Sequence, residues 1–150
     1  MQISGRCHCG AISFTALIDP SKVLVCHCAD CQQFSGAPFR AVLPTPAADV
    51  VMSGAPKRYV KVAESGNRRA QAFCGECGTQ VYASDAENPQ VLNPRLGCVN
   101  ERAQLVPLVQ VWGESAMPWL WQLQSAPMHC KSSASPLLQA TAPAAASSAA

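Results

Sequence analysis

Seven of the nine cysteines in this 150-residue chain fall into three short clusters whose spacing suits metal binding. The clusters are CHCG with Cys7 and Cys9, CHCADC with Cys26, Cys28 and Cys31, and FCGECGT with Cys74 and Cys77. Zinc binds thiolates in a tetrahedral array at about 2.3 Å, and a closely spaced pair supplies two ligands from one turn. Gly75 and Gly78 allow the tight backbone path around such a metal. The sequence therefore predicts zinc sites.

The number of ligands predicts two sites of different kinds. Two zinc ions need eight ligands, whereas the clusters supply seven. If the two pairs combine, Cys7, Cys9, Cys74 and Cys77 close one site, and the CHCADC triplet keeps an open position. A site with four cysteines is structural, whereas an exchangeable position supports chemistry, because it can bind water or a thiol. We therefore predict one structural and one catalytic zinc ion.

The surroundings of the second metal leave alternatives open. Zinc with three thiolates carries a formal charge of −1, which a nearby cation such as Arg40 would balance. Spacing alone leaves Cys98 and Cys130 available as a fourth ligand, and either would make the second site structural. His8 and His27 each lie between two cysteines, and strand alternation directs both side chains away from the metal. His27 is still a candidate for proton transfer.

The composition excludes several classes of protein. A net charge of +2 with 13% charged residues lacks the basic surface of a nucleic-acid binder. The start MQISGRCHCG has no signal-peptide apolar run, and no stretch approaches the roughly 20 apolar residues that span a bilayer. The odd number of cysteines and their two-residue spacings favour metal or thiol chemistry over disulfides. We expect a soluble cytoplasmic protein without nucleic-acid or membrane partners, and the pattern does not specify its oligomeric state.

Short strands must position these cysteines. AISFTA, residues 11–16, alternates in the manner of a half-buried strand. Similar short patterns follow in KVLVCHC, RAVLP, KRYVKV, AQAF, TQVYA, QVLNPRLGCV and LVQVW. ADCQQFSG predicts one helical turn, with Asp30 near its start and Gly36 at its end. We predict a mainly β fold, a small single zinc-binding domain of short antiparallel strands with little helix over residues 1–130, followed by a disordered Ala/Ser/Pro tail over 131–150.

Several stretches resemble one known family, the glutathione-dependent formaldehyde-activating enzymes and their centromere-protein-V-like relatives. They are GRCHCGAISF, CHCADCQQFSGAPF, KVAESGNRRAQAFCGECGTQVY and, more weakly, LGCVNERAQLVP with a later PW, in the family's order. The resemblance implies a small β-rich zinc fold. It also implies that Cys7, Cys9, Cys74 and Cys77 are structural zinc ligands, and that Cys26, Cys28 and Cys31 are catalytic zinc ligands.

The resemblance further implies a reaction, the reversible addition of glutathione to formaldehyde to give S-hydroxymethylglutathione, which is classed as a carbon–sulfur lyase activity. A zinc-bound glutathione thiolate would be the nucleophile, or the metal would hold the sulfur of the adduct. Because glutathione is anionic overall, we expect basic and backbone N–H groups at its site, with Ser35, Gly36, Arg40 and Arg69 as candidates. The alternatives are a non-enzymatic zinc module that binds a protein partner, and a carrier of glutathione, formaldehyde or metal.

Overall fold

The computed structural model describes residues 1–138 and contains two compact units, Met1–Met117 and the residues from Pro118 onward. The mainly β prediction is confirmed, since the first unit holds eleven short strands and the α-helix found among the described residues. The strands are β1 (Gln2–Arg6), β2 (Ser13–Leu17), β3 (Leu24–Cys26), β4 (Arg40–Val42), β5 (Thr45–Pro46), β6 (Val50–Ser53), β7 (Lys57–Val62), β8 (Arg68–Phe73), β9 (Gln80–Asp85), β10 (Val91–Pro94) and β11 (Val109–Val111). Helix α1 covers Ala29–Ser35, and short 3-10 helices cover Pro20–Lys22, Ala47–Asp49, Leu96–Cys98, Arg102–Gln104, Gly113–Ser115 and Pro118–Ser125.

Three sheets organise the first unit. Their strand orders are β1-β2-β6, β5-β10-β9-β8-β7 and β11-β3-β4. Neighbouring strands are antiparallel, as predicted, except that β11 runs parallel to β3. The alternation of side chains sets the buried face: in β2, Phe14 and Ala16 are buried while Ser13 and Thr15 are exposed. The period-2 pattern in the sequence therefore corresponds to a real inward face.

The core of the first unit includes two of the clustered cysteines. Ile3 of β1, Phe14 of β2 and Val81 of β9 belong to one buried apolar cluster that also contains Cys7 and Cys74. Burying a large apolar side chain of this kind stabilises a fold by about 1.5–3 kcal/mol. The ends of β1 and β8 are thus packed into the core together with the thiols that follow them.

The second unit contains little regular structure among its described residues. It begins with the 3-10 helix over Pro118–Ser125, and an isolated antiparallel bridge joins His129 to Leu137. Residues 139–150 of the predicted tail lie outside the described residues, and the predicted boundary at residue 130 stays a prediction. None of the helices within residues 1–138 has the length and apolar character needed to cross a bilayer.

Candidate functional site

The first and third cysteine clusters meet where strands end. Cys7 directly follows β1, and Cys74 directly follows β8. The Sγ atoms of Cys7, Cys9, Cys74 and Cys77, named here the four-cysteine cluster, all lie within 4.8 Å of one another. The Sγ–Sγ distance is 3.6 Å for Cys7–Cys9 and 3.7 Å for Cys9–Cys74. Because tetrahedral zinc with bonds of about 2.3 Å places its sulfurs about 3.8 Å apart, this donor set fits a zinc ion.

Two similar turns present the sulfurs of the four-cysteine cluster. The Gly10 N–H donates to the Cys7 carbonyl at 3.1 Å, and the Gly78 N–H donates to the Cys74 carbonyl at 2.9 Å. Both glycines have positive φ, +84° and +72°, a conformation that residues with a side chain rarely adopt. The two turns therefore depend on glycine to bring each pair of thiols onto one side of the backbone.

Hydrogen bonds favour the thiolate form in the same cluster. The Ile12 N–H donates to the Cys7 Sγ at 3.2 Å. The Thr79 hydroxyl lies 3.2 Å from the Cys77 Sγ, and hydrogen bonding by Thr79 lowers the pKa of Cys77 to about 5. Since the thiolate is the form that binds metal, these contacts prepare Cys7 and Cys77 for a cation. A backbone hydrogen bond from Ala11 lowers the pKa of Cys9, but the neighbouring thiols of Cys77 and Cys7 raise it to about 12.

The junction between β3 and α1 positions the second cluster. Cys26 ends β3, Cys28 is the N-cap of α1, and Cys31 lies in the first turn of the helix. Their Sγ atoms lie within 4.8 Å of one another and are named here the cysteine triplet. The Cys31 N–H donates to the Cys28 Sγ at 3.4 Å. Gly36 ends α1 with a φ of +62°, as the sequence predicts.

The triplet thiols interact strongly with one another. A hydrogen bond from the Cys31 thiol lowers the pKa of Cys26 to about 6, and the same bond, together with burial, raises the pKa of Cys31. One thiol of the group therefore ionises first and makes ionisation of its neighbour harder. A cation among the three sulfurs would remove this conflict, because it favours all three thiolates at once.

The ligand count at the triplet depends on Cys98 and Cys130. The Cys98 thiol is 8% exposed, donates to the Gln80 carbonyl at 3.2 Å, and is not gathered with the triplet sulfurs. Cys130 belongs to the second unit. Within residues 1–138, the group at the triplet thus consists of three cysteine sulfurs.

A cavity of about 570 Å³, named here the triplet cavity, lies beside these sulfurs. All three triplet cysteines line it, together with Arg40 and Arg69, two of the predicted glutathione contacts. The other two, Ser35 and Gly36, are not in its lining. Ser35 instead donates to the Cys31 carbonyl at 2.7 Å and lines a second cavity of about 880 Å³. The structure therefore brings half of the predicted contacts to the triplet.

Charged pairs lie at the outer part of the triplet cavity. Lys61 of β7 forms an ion pair with Asp30 of α1, and Arg69 of β8 forms one with Asp85 of β9. Both basic side chains line the cavity. A space of this volume accommodates an organic ligand larger than a simple aldehyde, so a bulky thiol in it would meet cationic groups.

Two buried arginines also line the triplet cavity and are named here the arginine pair. Arg40 of β4 is 5% exposed and Arg95, just after β10, is 6% exposed. The Oε1 atom of Gln71 accepts a hydrogen bond from Arg40 Nη1 at 3.0 Å and from Arg95 Nη2 at 2.7 Å. Burial, and then the charge of Arg40, lower the pKa of Arg95 to about 9. Among residues 1–138 neither arginine forms an ion pair with a carboxylate, which is unusual for buried arginines.

The two histidines between the cysteines make other contacts. His8 is exposed, and its backbone N–H donates to the Thr79 hydroxyl at 3.1 Å. His27 is 1% exposed, and its Nε2 lies 2.8 Å from Gln110 Oε1 on β11. Neither imidazole belongs to the metal-binding groups among the described residues, which agrees with the alternation argument.

Sequence reasoning missed Gln71, Arg95 and Lys61. Each comes from a strand or strand end far along the chain from the triplet, so no local motif signals it. The available signal is weak: a glutamine in the apolar run RAQAF and an arginine in NPRLG are polar residues in stretches that the pattern buries.

Comparison with known proteins gives one family. A sequence model described as glutathione-dependent formaldehyde-activating enzyme matches residues 2–115. These residues include the four-cysteine cluster, the triplet and every residue lining the triplet cavity.

Two curated proteins are similar in sequence. A protein of Schizosaccharomyces pombe named as an uncharacterized lyase is 30% identical over 94 residues, which cover 61% of this chain and 66% of that protein. A Halomonas elongata protein, whose name proposes a glutathione-dependent formaldehyde-activating enzyme, is 27% identical over 99 residues, 63% of each chain. The match thus spans just under two thirds of each relative.

A solved structure shows a similar fold. A Rhodobacter sphaeroides protein, determined as a structural genomics target, superposes with a TM-score of 0.54 at 18% identity. The superposition covers 72% of this chain and 99% of that one. At this identity, the likeness is one of fold alone.

Proposed function

Since this chain belongs to the glutathione-dependent formaldehyde-activating enzyme family, we propose that it is a zinc-dependent carbon–sulfur lyase that combines glutathione and formaldehyde reversibly. The product of the addition is S-hydroxymethylglutathione. The observation that carries the proposal is the cysteine triplet in the wall of a cavity of about 570 Å³. In this proposal the four-cysteine cluster binds a structural zinc ion, and the triplet binds a catalytic one.

The proposed reaction needs few protein groups. A zinc ion at the triplet would lower the pKa of a thiol taken into the cavity, so that its sulfur is nucleophilic near neutral pH. The glutathione sulfur then forms a bond to the aldehyde carbon, the π electrons move to the oxygen, and the thiol proton ends on that oxygen. The residues of the chain hold the tripeptide so that its sulfur faces the aldehyde, and such positioning supplies much of the rate gain.

Lys61 and Arg69 are the proposed contacts of the glutathione carboxylates, because both are basic and both line the triplet cavity. Each already has an acidic neighbour, so a carboxylate would compete with Asp30 or Asp85 for them. Their contribution to affinity is therefore expected to be modest, since partly exposed ion pairs are worth up to about 1 kcal/mol.

Replacing Arg69 by methionine is expected to raise the KM for glutathione about three- to fivefold with little change in kcat, because a binding contact remote from the sulfur is lost. Arg68→Met is the matched control: Arg68 is the next residue, pairs with Glu87 and does not line the cavity. Steady-state kinetics with glutathione as the varied substrate measures both. Equal changes in the two variants would contradict the assignment.

The same cavity would also serve a carrier that binds glutathione or its adduct without turnover. A cavity beside a group of only three cysteine sulfurs favours both the enzyme and the carrier over a module that only binds a protein. Enzyme and carrier differ in rate, not in binding, so only a kinetic measurement separates them.

The proposal is tested by zinc analysis followed by exchange NMR. We expect two zinc ions per chain and an exchange between formaldehyde and S-hydroxymethylglutathione that the protein accelerates, with Cys130→Ala, outside both cysteine groups, behaving as wild type. Glutathione binding without acceleration would identify a carrier and overturn the enzyme. If the protein contains two zinc ions but binds no thiol, the result would favour a protein-binding module over both the enzyme and the carrier.

A further inference from the structure

The arginine pair has an unusual electrostatic environment. Arg40 and Arg95 share one neutral acceptor, Gln71 Oε1, and all three side chains are at least nine-tenths buried. Within residues 1–138 neither guanidinium forms an ion pair, and Arg40 Nε, Arg40 Nη2 and Arg95 Nε have no hydrogen-bond partner. Two adjacent buried cations without an ion-pair partner are costly. Such an environment favours a negative charge bound beside them.

The triplet is a source of negative charge in the same cavity, and it acts on Arg40 more strongly than Asp30 does. Both arginines line the triplet cavity with the three cysteines, and the ionised triplet sulfurs oppose the lowering of the pKa of Arg40 that its burial causes. Three thiolates and Zn²⁺ sum to −1, which one arginine would balance. A fourth thiolate brings the sum to −2, which two arginines balance. The number of buried cations matches the site with a bound thiolate.

We propose that Arg95, held beside Arg40 by Gln71, is a specificity-determining residue that makes the triplet site select an anionic sulfur ligand over a neutral ligand. The inference rests on the proposed zinc site and assigns a selectivity to it. Arg40 alone compensates the site without ligand, and Arg95 adds the second charge that the bound thiolate needs. Gln71 accepts from both guanidinium groups and so keeps two like charges side by side.

The positive charge of Arg95 should strengthen the binding of anionic ligands and leave that of neutral ligands unchanged. Removing a unit charge from the wall of the triplet cavity should weaken thiolate binding about ten- to a hundredfold, the effect of a charge about 6–12 Å away at an effective dielectric constant near 20. A neutral ligand such as imidazole gains nothing from the second cation, so its affinity should change less than about twofold. A carboxylate contact would instead affect glutathione but not a thiol without carboxylates.

The test is calorimetric titration of zinc-loaded wild type and Arg95→Met with three probes: glutathione, 2-mercaptoethanol and imidazole. We expect both thiols to bind Arg95→Met at least about tenfold more weakly and imidazole to bind unchanged. Equal weakening for imidazole would mean a general loss of the metal site, and weakening for glutathione alone would mean a carboxylate contact. Either result, or unchanged thiol binding, overturns the proposal.

Gln71→Glu provides a second variant that keeps the two hydrogen bonds. A carboxylate at this position accepts from the same guanidinium groups but neutralises one positive charge, so thiol affinity should fall as in Arg95→Met while circular dichroism stays native. A Gln71→Glu protein with undiminished thiol affinity would also refute the charge argument.

The titrations separate this inference from the enzyme proposal. Wild type that binds both thiols but does not accelerate exchange would refute the enzyme and leave the selectivity intact. Wild type that accelerates exchange, with Arg95→Met binding thiols equally well, would refute the selectivity alone. Wild type that binds no thiol would refute both.

Discussion

Cys28→Ser is expected to reduce the exchange between formaldehyde and S-hydroxymethylglutathione to its uncatalysed rate while the protein stays folded. Cys28 is the N-cap of α1 and accepts the Cys31 N–H through its sulfur. Serine is a preferred N-cap residue, so the helix start is preserved. The hydroxyl is a far poorer zinc ligand than a thiolate, and two cysteines alone are a weak zinc site. The change therefore removes the second metal rather than the helix.

Three measurements check the Cys28→Ser prediction together. Metal analysis should give one zinc ion per chain in place of two, exchange NMR should show no acceleration, and the melting temperature should fall by only a few degrees, corresponding to about 1 kcal/mol. Cys130→Ser is the matched control, since Cys130 is an exposed cysteine of the second unit. Retention of two zinc ions and full activity in Cys28→Ser would refute the assignment of the triplet.

Some of the strands that the sequence predicts have a complete inward face. β2 and β9 each place at least two apolar side chains on the buried side. The sequence does not predict β1, because its second inward position is Gly5, where a Cβ atom would lie 2.3 Å from the Phe14 ring. A glycine gives no hydrophobic signal, yet here the phenylalanine of the neighbouring strand fills its place.

β6 is a different failure of pattern reasoning. Val50 and Met52 face the core while Val51 is 71% exposed, so an apolar residue on the outward face hides the alternation of the strand in the sequence. It exists because it pairs with β2, with Phe14 opposite Met52. A strand that depends on its partner in this way has no local signature.

Some parts of the candidate site are visible in a short stretch of sequence, whereas others form only when distant strands pack together. The cysteine triplet is visible in the sequence because one strand end and one helix turn supply all its sulfurs within six residues. The arginine pair is not, because Arg40, Gln71 and Arg95 come from different strands or strand ends and meet only through sheet packing. Arg40 could be predicted from the sequence only because it follows the triplet closely along the chain.

Cys74→Ser is expected to abolish cooperative folding, the largest effect on stability predicted for this protein. Cys74 is 1% exposed, belongs to the core cluster, and lies 3.7 Å from Cys9 through their sulfurs. A zinc ion at the four-cysteine cluster ties residue 7 to residue 77 and closes a loop of about 70 residues. Structural zinc in small domains contributes about 10–16 kcal/mol of binding energy, as much as the whole stability of a typical domain, about 5–15 kcal/mol.

The matched control for Cys74→Ser is Cys98→Ser, which makes the same change at a buried cysteine of the same core cluster outside the two metal-binding groups. Its hydroxyl can still donate to the Gln80 carbonyl, so the loss should stay near 1–2 kcal/mol. Thermal melts followed by circular dichroism, with zinc analysis of each variant, distinguish the two. Cys74→Ser should lose the transition and both metals, because the triplet cannot assemble on an unfolded chain. If Cys74→Ser melts no lower than Cys98→Ser, or if Cys28→Ser collapses equally, the division between a structural and a catalytic zinc is wrong.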